Sequence, residues 1–177
     1  IIKVNGEFDA LGMKISIKPN IDTIQKSVLS GVDFTLDSVS ILADSIKVTD
    51  TIKILPDFTQ GTNANVYKLE NVFNPRTSGG INIGMLSVLS ESLTWNAIPD
   101  INSQGNVDIW MQKLDYTEFS AGKWYYDFTE KLDSKYEDAS GNALKIYDKI
   151  DKITKEKDFD RIMESLGGNI YSNINQR

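Results

Sequence analysis

The sequence predicts a mainly β protein that ends in amphipathic helices, and three observations support this fold class. Apolar and polar residues alternate in short segments over residues 1–113, as half-buried strands require. After Lys113, apolar residues recur at spacings of three and four, which is the helical period. The 177 residues are enough for one elongated domain or a domain with an appendage. We therefore divide the chain into a β part, residues 1–113, and a helical part, residues 114–177.

The strands are predicted from alternation and from the turn residues that interrupt it. Met13–Lys18 alternates until Pro19-Asn20, and Val32–Leu36 alternates until the phase slips at Asp37-Ser38. Further strands are predicted at residues 46–48, 52–54, 65–69, 81–86, 91–96 and 106–113. Short strands of this kind fit a sandwich, a barrel or an irregular parallel β-helix, and the lack of a strict repeat excludes only a regular hexapeptide or nonapeptide helix.

Three helices are predicted in the helical part. The first covers Lys123–Glu137, and the second begins at a cap on Ser140 or Asn142 and ends near Ile153. The third covers Asp158–Ile174, with Asp158 as its cap. Its apolar stripe is interrupted by Gly167-Gly168, at a cost of about 1 kcal/mol per glycine relative to alanine. One interpretation of the two glycines is a C-cap followed by a second short helix.

Composition excludes several kinds of chemistry. The chain contains no cysteine and no histidine, which removes thiolate catalysis, cysteine-based metal sites, disulfides and Ser-His-Asp triads. A net charge of −6 with three arginines does not provide the basic surface that nucleic acid requires. An enzyme would have to use carboxylates, lysine or tyrosine, and 25 scattered acidic residues do not select a catalytic pair. We predict no catalytic residue and no cofactor.

Two features of the sequence concern the cellular location of the protein. No apolar run approaches the roughly 20 residues that a membrane-spanning helix needs. The chain opens on strand-like sequence without an initiator methionine, and we interpret it as a fragment of a longer protein. The lack of a signal peptide therefore does not bear on export.

The segment Asp100–Asp108 resembles the first nine positions of a calcium loop. Its twelfth position, which should supply a bidentate glutamate, is Met111. The flanking segments also have the pattern of strands instead of helices. We therefore predict a polar hairpin turn and no bound metal.

Aromatic residues flank this turn. Alternation places Leu93 and Trp95 on one face of a strand, and Ile109 and Met111 on one face of the next, with Trp110 opposite. One interpretation is core packing with a single exposed tryptophan, and the alternative is a stacking platform for a sugar. We predict that Leu93, Trp95, Ile109 and Met111 determine stability by covering the end of the β part. Asp108 lies on the face opposite Ile109 and Met111, so Asp108→Ala is expected to have little effect.

The C-terminal segment Leu166–Ile174 resembles a short motif, L-S-G-E-x-Y-A-S-L, of monomeric autotransporters, the type V secretion system. Leu166, Gly168 and Tyr171 align with it without gaps, as do the positions of Ser172 and Ile174, whereas Gly167 and Asn169 stand where serine and glutamate are usual. The order of elements over residues 86–176, tryptophan-bearing strands and then linker helices, is also similar to the junction between passenger and β-barrel in that family.

This resemblance implies a right-handed parallel β-helix for residues 1–113, as the passenger stem with autochaperone-like terminal strands, and a helical linker for residues 114–177. It also implies export through the periplasm of a Gram-negative bacterium and display at its surface as part of a virulence-associated adhesin. The implied partner is an outer-membrane β-barrel, with host or bacterial surface ligands bound by an upstream passenger. Two alternatives stay open, a carbohydrate-active β-helix enzyme and a soluble α+β extracellular binding module.

Overall fold

In the computed structural model, strands precede helices, as the alternation predicts. The structure describes the backbone of residues 1–17, 25–26, 34–37, 40–56 and 65–175, and the side chains of residues 1–14, 40–55 and 65–168. The predicted turn at Pro19-Asn20 and the phase slip at Ser38 lie outside the described residues.

Twelve strands are present in the described part of the chain. They are β1 (Ile2–Lys3), β2 (Glu7–Asp9), β3 (Lys14–Ile17), β4 (Gln25–Lys26), β5 (Phe34–Asp37), β6 (Ile41–Ala43), β7 (Ser45–Lys47), β8 (Ile52–Pro56), β9 (Val66–Pro75), β10 (Val88–Ser90), β11 (Trp95–Ile101) and β12 (Val107–Lys113). Residues 83–85 form a 3₁₀ turn where a strand was predicted, because Asn82 caps the backbone N–H of Gly84 at 3.0 Å. β11 begins only at Trp95 and continues to Ile101, so this strand lies later in the chain than the predicted strand at residues 91–96.

The strands form three sheets. The largest has the order β1-β6-β9-β12-β11, and β5 also pairs with β9. β12 is antiparallel to both of its neighbours, β9 and β11. The pairs β1–β6, β6–β9 and β5–β9 are parallel, and β4 pairs antiparallel with β5. The other two sheets, β10-β8-β3 and β2-β7, are parallel.

The mixed sheet corrects the prediction of a right-handed parallel β-helix over residues 1–113. Parallel pairs do occur, but the long strand β9 and the hairpin β11–β12 form an antiparallel block in the largest sheet. Sequence alternation indicates which face of a strand is buried, and it contains no information on the direction of the neighbouring strand. The direction is set by contacts between residues far apart in the chain.

Three α-helices follow the strands: α1 (Tyr126–Lys135), α2 (Asn142–Asp151) and α3 (Glu156–Asn175). The three predicted helices are confirmed, but the predicted caps are wrong. Gly141 occupies the N-cap of α2 without a side-chain bond, and Asp158 lies in the first turn of α3. α3 also continues through Gly167 and Gly168, so these glycines do not end the helix.

One hydrophobic core joins the sheets to the helices. Strand residues such as Ile52, Tyr67 and Ile109 belong to the same buried cluster as Tyr147 and Phe159 of the helices. Trp95 packs against Tyr67 with ring centroids 5.5 Å apart. The helical part therefore packs directly against the end of the β part.

Candidate functional site

The most concentrated group of buried polar side chains lies where the helices meet the sheet. The carboxylate of Asp151, at the end of α2, accepts hydrogen bonds from Thr94 Oγ1 at 2.8 Å, Tyr116 OH at 2.8 Å and Tyr136 OH at 2.7 Å. Asp151 is only 5% exposed. Three hydroxyl donors compensate for the lost hydration of the carboxylate, which would otherwise be costly to bury.

Burial controls the ionisation of this cluster. Burial raises the pKa of Asp151, while the hydrogen bond from Tyr136 and the nearby charge of Lys113 oppose that rise. Burial, followed by the negative charge of Asp151, raises the pKa of Tyr116 well above its ordinary value. The same two causes raise the pKa of Tyr136. Both phenols therefore remain protonated donors at neutral pH.

Lys113, the last residue of β12, packs against the tyrosines of this cluster. Its side chain is 2% exposed, and its Nζ lies 3.7 Å from the ring centroid of Tyr116 and 4.5 Å from that of Tyr136. The ammonium group also forms an ion pair with Asp133 at 3.4 Å and donates to the Leu114 carbonyl at 2.8 Å. Asp133 in turn accepts the backbone N–H of Tyr116 at 2.8 Å. The cluster has satisfied partners and little access to solvent, which fits a structural junction and not a reaction site.

A second polar network lies at the hairpin between β11 and β12. Asn71, in the middle of β9, has a φ of +52° and donates its backbone N–H to Asp108 at 2.8 Å. Its side-chain oxygen accepts from Asn102 at 3.0 Å and Asn106 at 3.1 Å. Asp108 also accepts from Asn102 at 3.0 Å and pairs with Lys68 at 3.2 Å. Asparagine tolerates this left-handed backbone better than most residues, and the network stabilises it there.

This network corrects one expectation from the sequence. Alternation placed Asp108 on the solvent-exposed face, yet Asp108 is 2% exposed. The register between β9 and β12 shifts between Val107 and Ile109, which brings Asp108 against Asn71. The segment Asp100–Asp108 does form the predicted hairpin turn, and Asn102 accepts the backbone N–H groups of Gln104 and Asn106. The described residues contain no group of three or more acidic side chains placed to hold a metal ion.

Described residues line two open clefts that bear on a candidate site. One, of about 580 Å³, lies beside the Asn71 network. Its described lining consists of Ile1, Ser40, Leu42, Glu70, Asn71, Asn74, Pro75 and Asn106. The other, of about 400 Å³, lies between β10 and β11, and Glu91 is the acidic residue in its described lining. Each described lining contains a single carboxylate, whereas glycoside hydrolysis ordinarily uses two.

The structure gathers three of the four residues predicted to determine stability into the core. Trp95 is 1% exposed, and Ile109 and Met111 are fully buried, whereas Leu93 packs at the edge of the cluster. Leu93 also donates its backbone N–H to the Ile153 carbonyl at 2.7 Å, which ties this segment to the end of α2. Their role in covering the end of the β part stays a prediction.

The residues of the motif Leu166, Gly168 and Tyr171 all lie on α3. Leu166 packs against the core, whereas a methyl group on the Cα of Gly168 would have no neighbouring atom within 4 Å. The side chain of Tyr171 lies outside the described side chains. The glycine in close contact is Gly167, which lies against Trp124.

Sequence comparison indicates a class of protein different from the one the motif implied. Residues 30–115 match a family model described as the BigA beta sandwich domain. A particular relative is BigA of Salmonella typhimurium strain LT2, provisionally named as a surface-exposed virulence protein, which is 28% identical over 119 residues. This alignment covers 67% of the present chain and 6% of BigA. No solved structure matches the chain.

These findings overturn the interpretation of the chain as an autotransporter passenger–barrel junction. The match of residues 30–115 to a β-sandwich model also contradicts the right-handed parallel β-helix. The physical reason is the short length of the motif, since any amphipathic helix with a glycine and a tyrosine at this spacing satisfies it. The β-barrel partner was implied only by that resemblance and therefore loses its support. Among the described residues, no helix is long and apolar enough to cross a membrane.

Proposed function

We propose that this chain is a non-enzymatic β-sandwich module of a larger surface-exposed protein, in which the helices pack against and stabilise the sheet. The single observation that supports this proposal best is the match of residues 30–115 to the BigA sandwich domain. The similarity to one segment of BigA, a much longer protein provisionally named for surface exposure and virulence, supports display on a cell surface.

The geometry supports a structural module more than an enzyme. The polar cluster around Asp151 is closed to solvent and its carboxylate is bound by three hydroxyl groups. The described linings of the two open clefts each contain a single carboxylate, Glu70 or Glu91. A proton donor and an opposing base or nucleophile therefore do not face each other across either of these linings.

Display is tested on intact cells that produce the full-length parent protein. Antibodies raised against the purified chain should label these cells without permeabilisation, and external protease should remove the label. A periplasmic protein probed on the same cells is the control for envelope integrity. Labelling that requires permeabilisation would contradict surface display.

A further inference from the structure

The surface beside the Asn71 network contains features of a saccharide site. Trp110, on β12, is half-buried and is paired across the sheet with Lys68 on β9 and the exposed Ile98 on β11. Next along the same face, Asn96 and Gln112 form an exposed cross-strand pair. Lys68 Nζ lies over one face of the Trp110 ring, 5.4 Å from its centroid, so a ligand would stack on the opposite face. That face and the uncharged amides farther along the strands offer both a flat apolar surface and hydrogen-bonding groups.

The cleft of about 580 Å³ extends this surface. Glu70 lies two residues after Lys68 on β9 and also lines the cleft, so it connects the Trp110 face to the cleft. Within the cleft, Asn71 fixes two amide groups. Its carbonyl accepts from Asn74 Nδ2 at 2.9 Å and its side-chain oxygen accepts from Asn106 Nδ2 at 3.1 Å. Because their nitrogens are engaged, both amides keep a positioned oxygen as an acceptor for a ligand.

The charges of this surface select the ligand class. Lys68 is neutralised by Asp108 at 3.2 Å and Glu70 at 3.5 Å. In the described lining of the cleft, Glu70 is the charged side chain and no basic side chain is present. An anionic ligand would therefore meet Glu70 and no basic side chain in this described lining, whereas the hydroxyl groups of a neutral sugar can donate to Glu70 and to the amide oxygens.

We propose that the Trp110 face and the adjoining cleft bind a neutral oligosaccharide, with one pyranose ring stacked on Trp110 and its neighbour bonded to Glu70 and the cleft amides. The ring of Trp110 supplies dispersion contact to the C–H face of the sugar. Glu70, whose side chain is 42% exposed, accepts hydrogen bonds from the sugar hydroxyl groups. The chain thus contains a glycan-binding site in addition to its structural role.

The purified chain is titrated by calorimetry with maltohexaose, cellohexaose, laminarihexaose, mannohexaose and N-acetylchitohexaose. Sialyllactose and a heparin hexasaccharide serve as anionic comparisons. We expect at least one neutral hexasaccharide to bind with a Kd below about 1 mM, in the range of weak specific complexes. Absence of binding by every neutral hexasaccharide, or binding of the anionic sugars alone, would overturn the proposal.

Three variants locate the site. Trp110→Ala and Glu70→Gln should each weaken binding about tenfold or more, and Trp110→Phe should retain part of the affinity because it keeps an aromatic face. Trp124→Ala removes a 54% exposed tryptophan from the helical part and should leave binding unchanged. Unaltered binding by both Trp110→Ala and Glu70→Gln, or equal loss in Trp124→Ala, would contradict the proposed site.

Glu70→Gln leaves Lys68 paired with Asp108, so it tests the site even where Trp110→Ala does not fold. Sugar binding is measured on the purified chain, whereas surface display is measured on cells. Failure of the saccharide proposal therefore leaves the proposed surface display unaffected, and the two outcomes are distinguishable.

Discussion

Gly167 lies directly against the indole of Trp124. A methyl group placed on the Gly167 Cα would lie 3.2 Å from Trp124 Cζ3 and 2.9 Å from Cη2, and the second distance is closer than Cβ atoms approach in folded proteins. The adjacent Gly168 has no neighbouring atom within 4 Å of the equivalent position. The packing of Trp124 against α3 therefore requires a glycine at position 167 and does not require one at position 168.

We predict opposite effects for alanine at these two glycines. Gly168→Ala should raise the free energy of unfolding by about 1 kcal/mol, because alanine is the better helix former. Gly167→Ala should leave the free energy of unfolding unchanged or lower it, because the new methyl group displaces Trp124. When Trp124 is replaced by alanine, Gly167→Ala should raise the free energy of unfolding as Gly168→Ala does. Urea unfolding of the four variants measures these differences, and equal stabilisation by both glycine substitutions would contradict the packing.

The second prediction concerns Trp95. It is 1% exposed and packs on Tyr67, so Trp95→Ala should lower the free energy of unfolding by about 3–5 kcal/mol. Ile98→Ala, on the same strand but 43% exposed, is the matched control and should change stability by no more than about 0.5 kcal/mol. Chemical denaturation compares the two variants. Small and equal effects would show that this end of the β part does not determine stability.

The third prediction replaces an expectation from the sequence. Alternation indicated that Asp108→Ala would have little effect, whereas the structure predicts a loss of about 3 kcal/mol, because Lys68 and Asn71 lose a buried partner. The control is Asp100→Ala, at the exposed cross-strand neighbour of Asp108. Thermal or urea unfolding gives the comparison. If both alanine variants are equally stable, the buried network does not contribute as the contacts indicate.

The fourth prediction concerns the pH dependence of the junction. Burial raises the pKa of Asp151 in the folded state, so its contribution to stability is fully present below its unfolded pKa and is lost as the pH rises through the folded pKa. Asp151→Asn cannot titrate. The free energy of unfolding of the wild type relative to this variant should therefore fall as the pH rises from about 4, near the unfolded value.

Urea unfolding of both proteins at several pH values between about 4 and 7 measures this difference. Thr94→Val keeps the carboxylate but removes one of its three donors, and should favour the protonated form further. A difference that grows with rising pH would contradict the raised pKa. A loss of stability in Asp151→Asn at every pH is expected as well, because the amide cannot accept from Thr94, Tyr116 and Tyr136 as a carboxylate does.

The fifth prediction is that Ca²⁺ does not bind at Asp100–Asp108. Asn102, Asn106 and Asp108, which would supply ligands, are already bonded to Asn71 or to one another. Calcium at millimolar concentration should leave the unfolding temperature unchanged. A rise of several degrees that disappears in Asp108→Asn would contradict this prediction.

Much of the secondary structure follows directly from the residue pattern of the chain. Period-two alternation located β8 and β12, and spacings of three and four located α1, α2 and α3, because these periods follow from backbone geometry alone. The same alternation identified the buried face of Val107, Ile109 and Met111. Composition, without cysteine or histidine, excluded whole classes of chemistry.

The strand directions, the burial of Asp108 and the junction around Asp151 depend on contacts between residues far apart in the chain. Thr94 and Asp151 are separated by 57 residues and Asn71 and Asp108 by 37, so no local pattern records either contact. The stripe of α3 likewise gives no indication that Trp124 occupies the space beside Gly167. A periodic pattern describes which face of an element is apolar, whereas the partner of that face is selected by the packing of the whole chain.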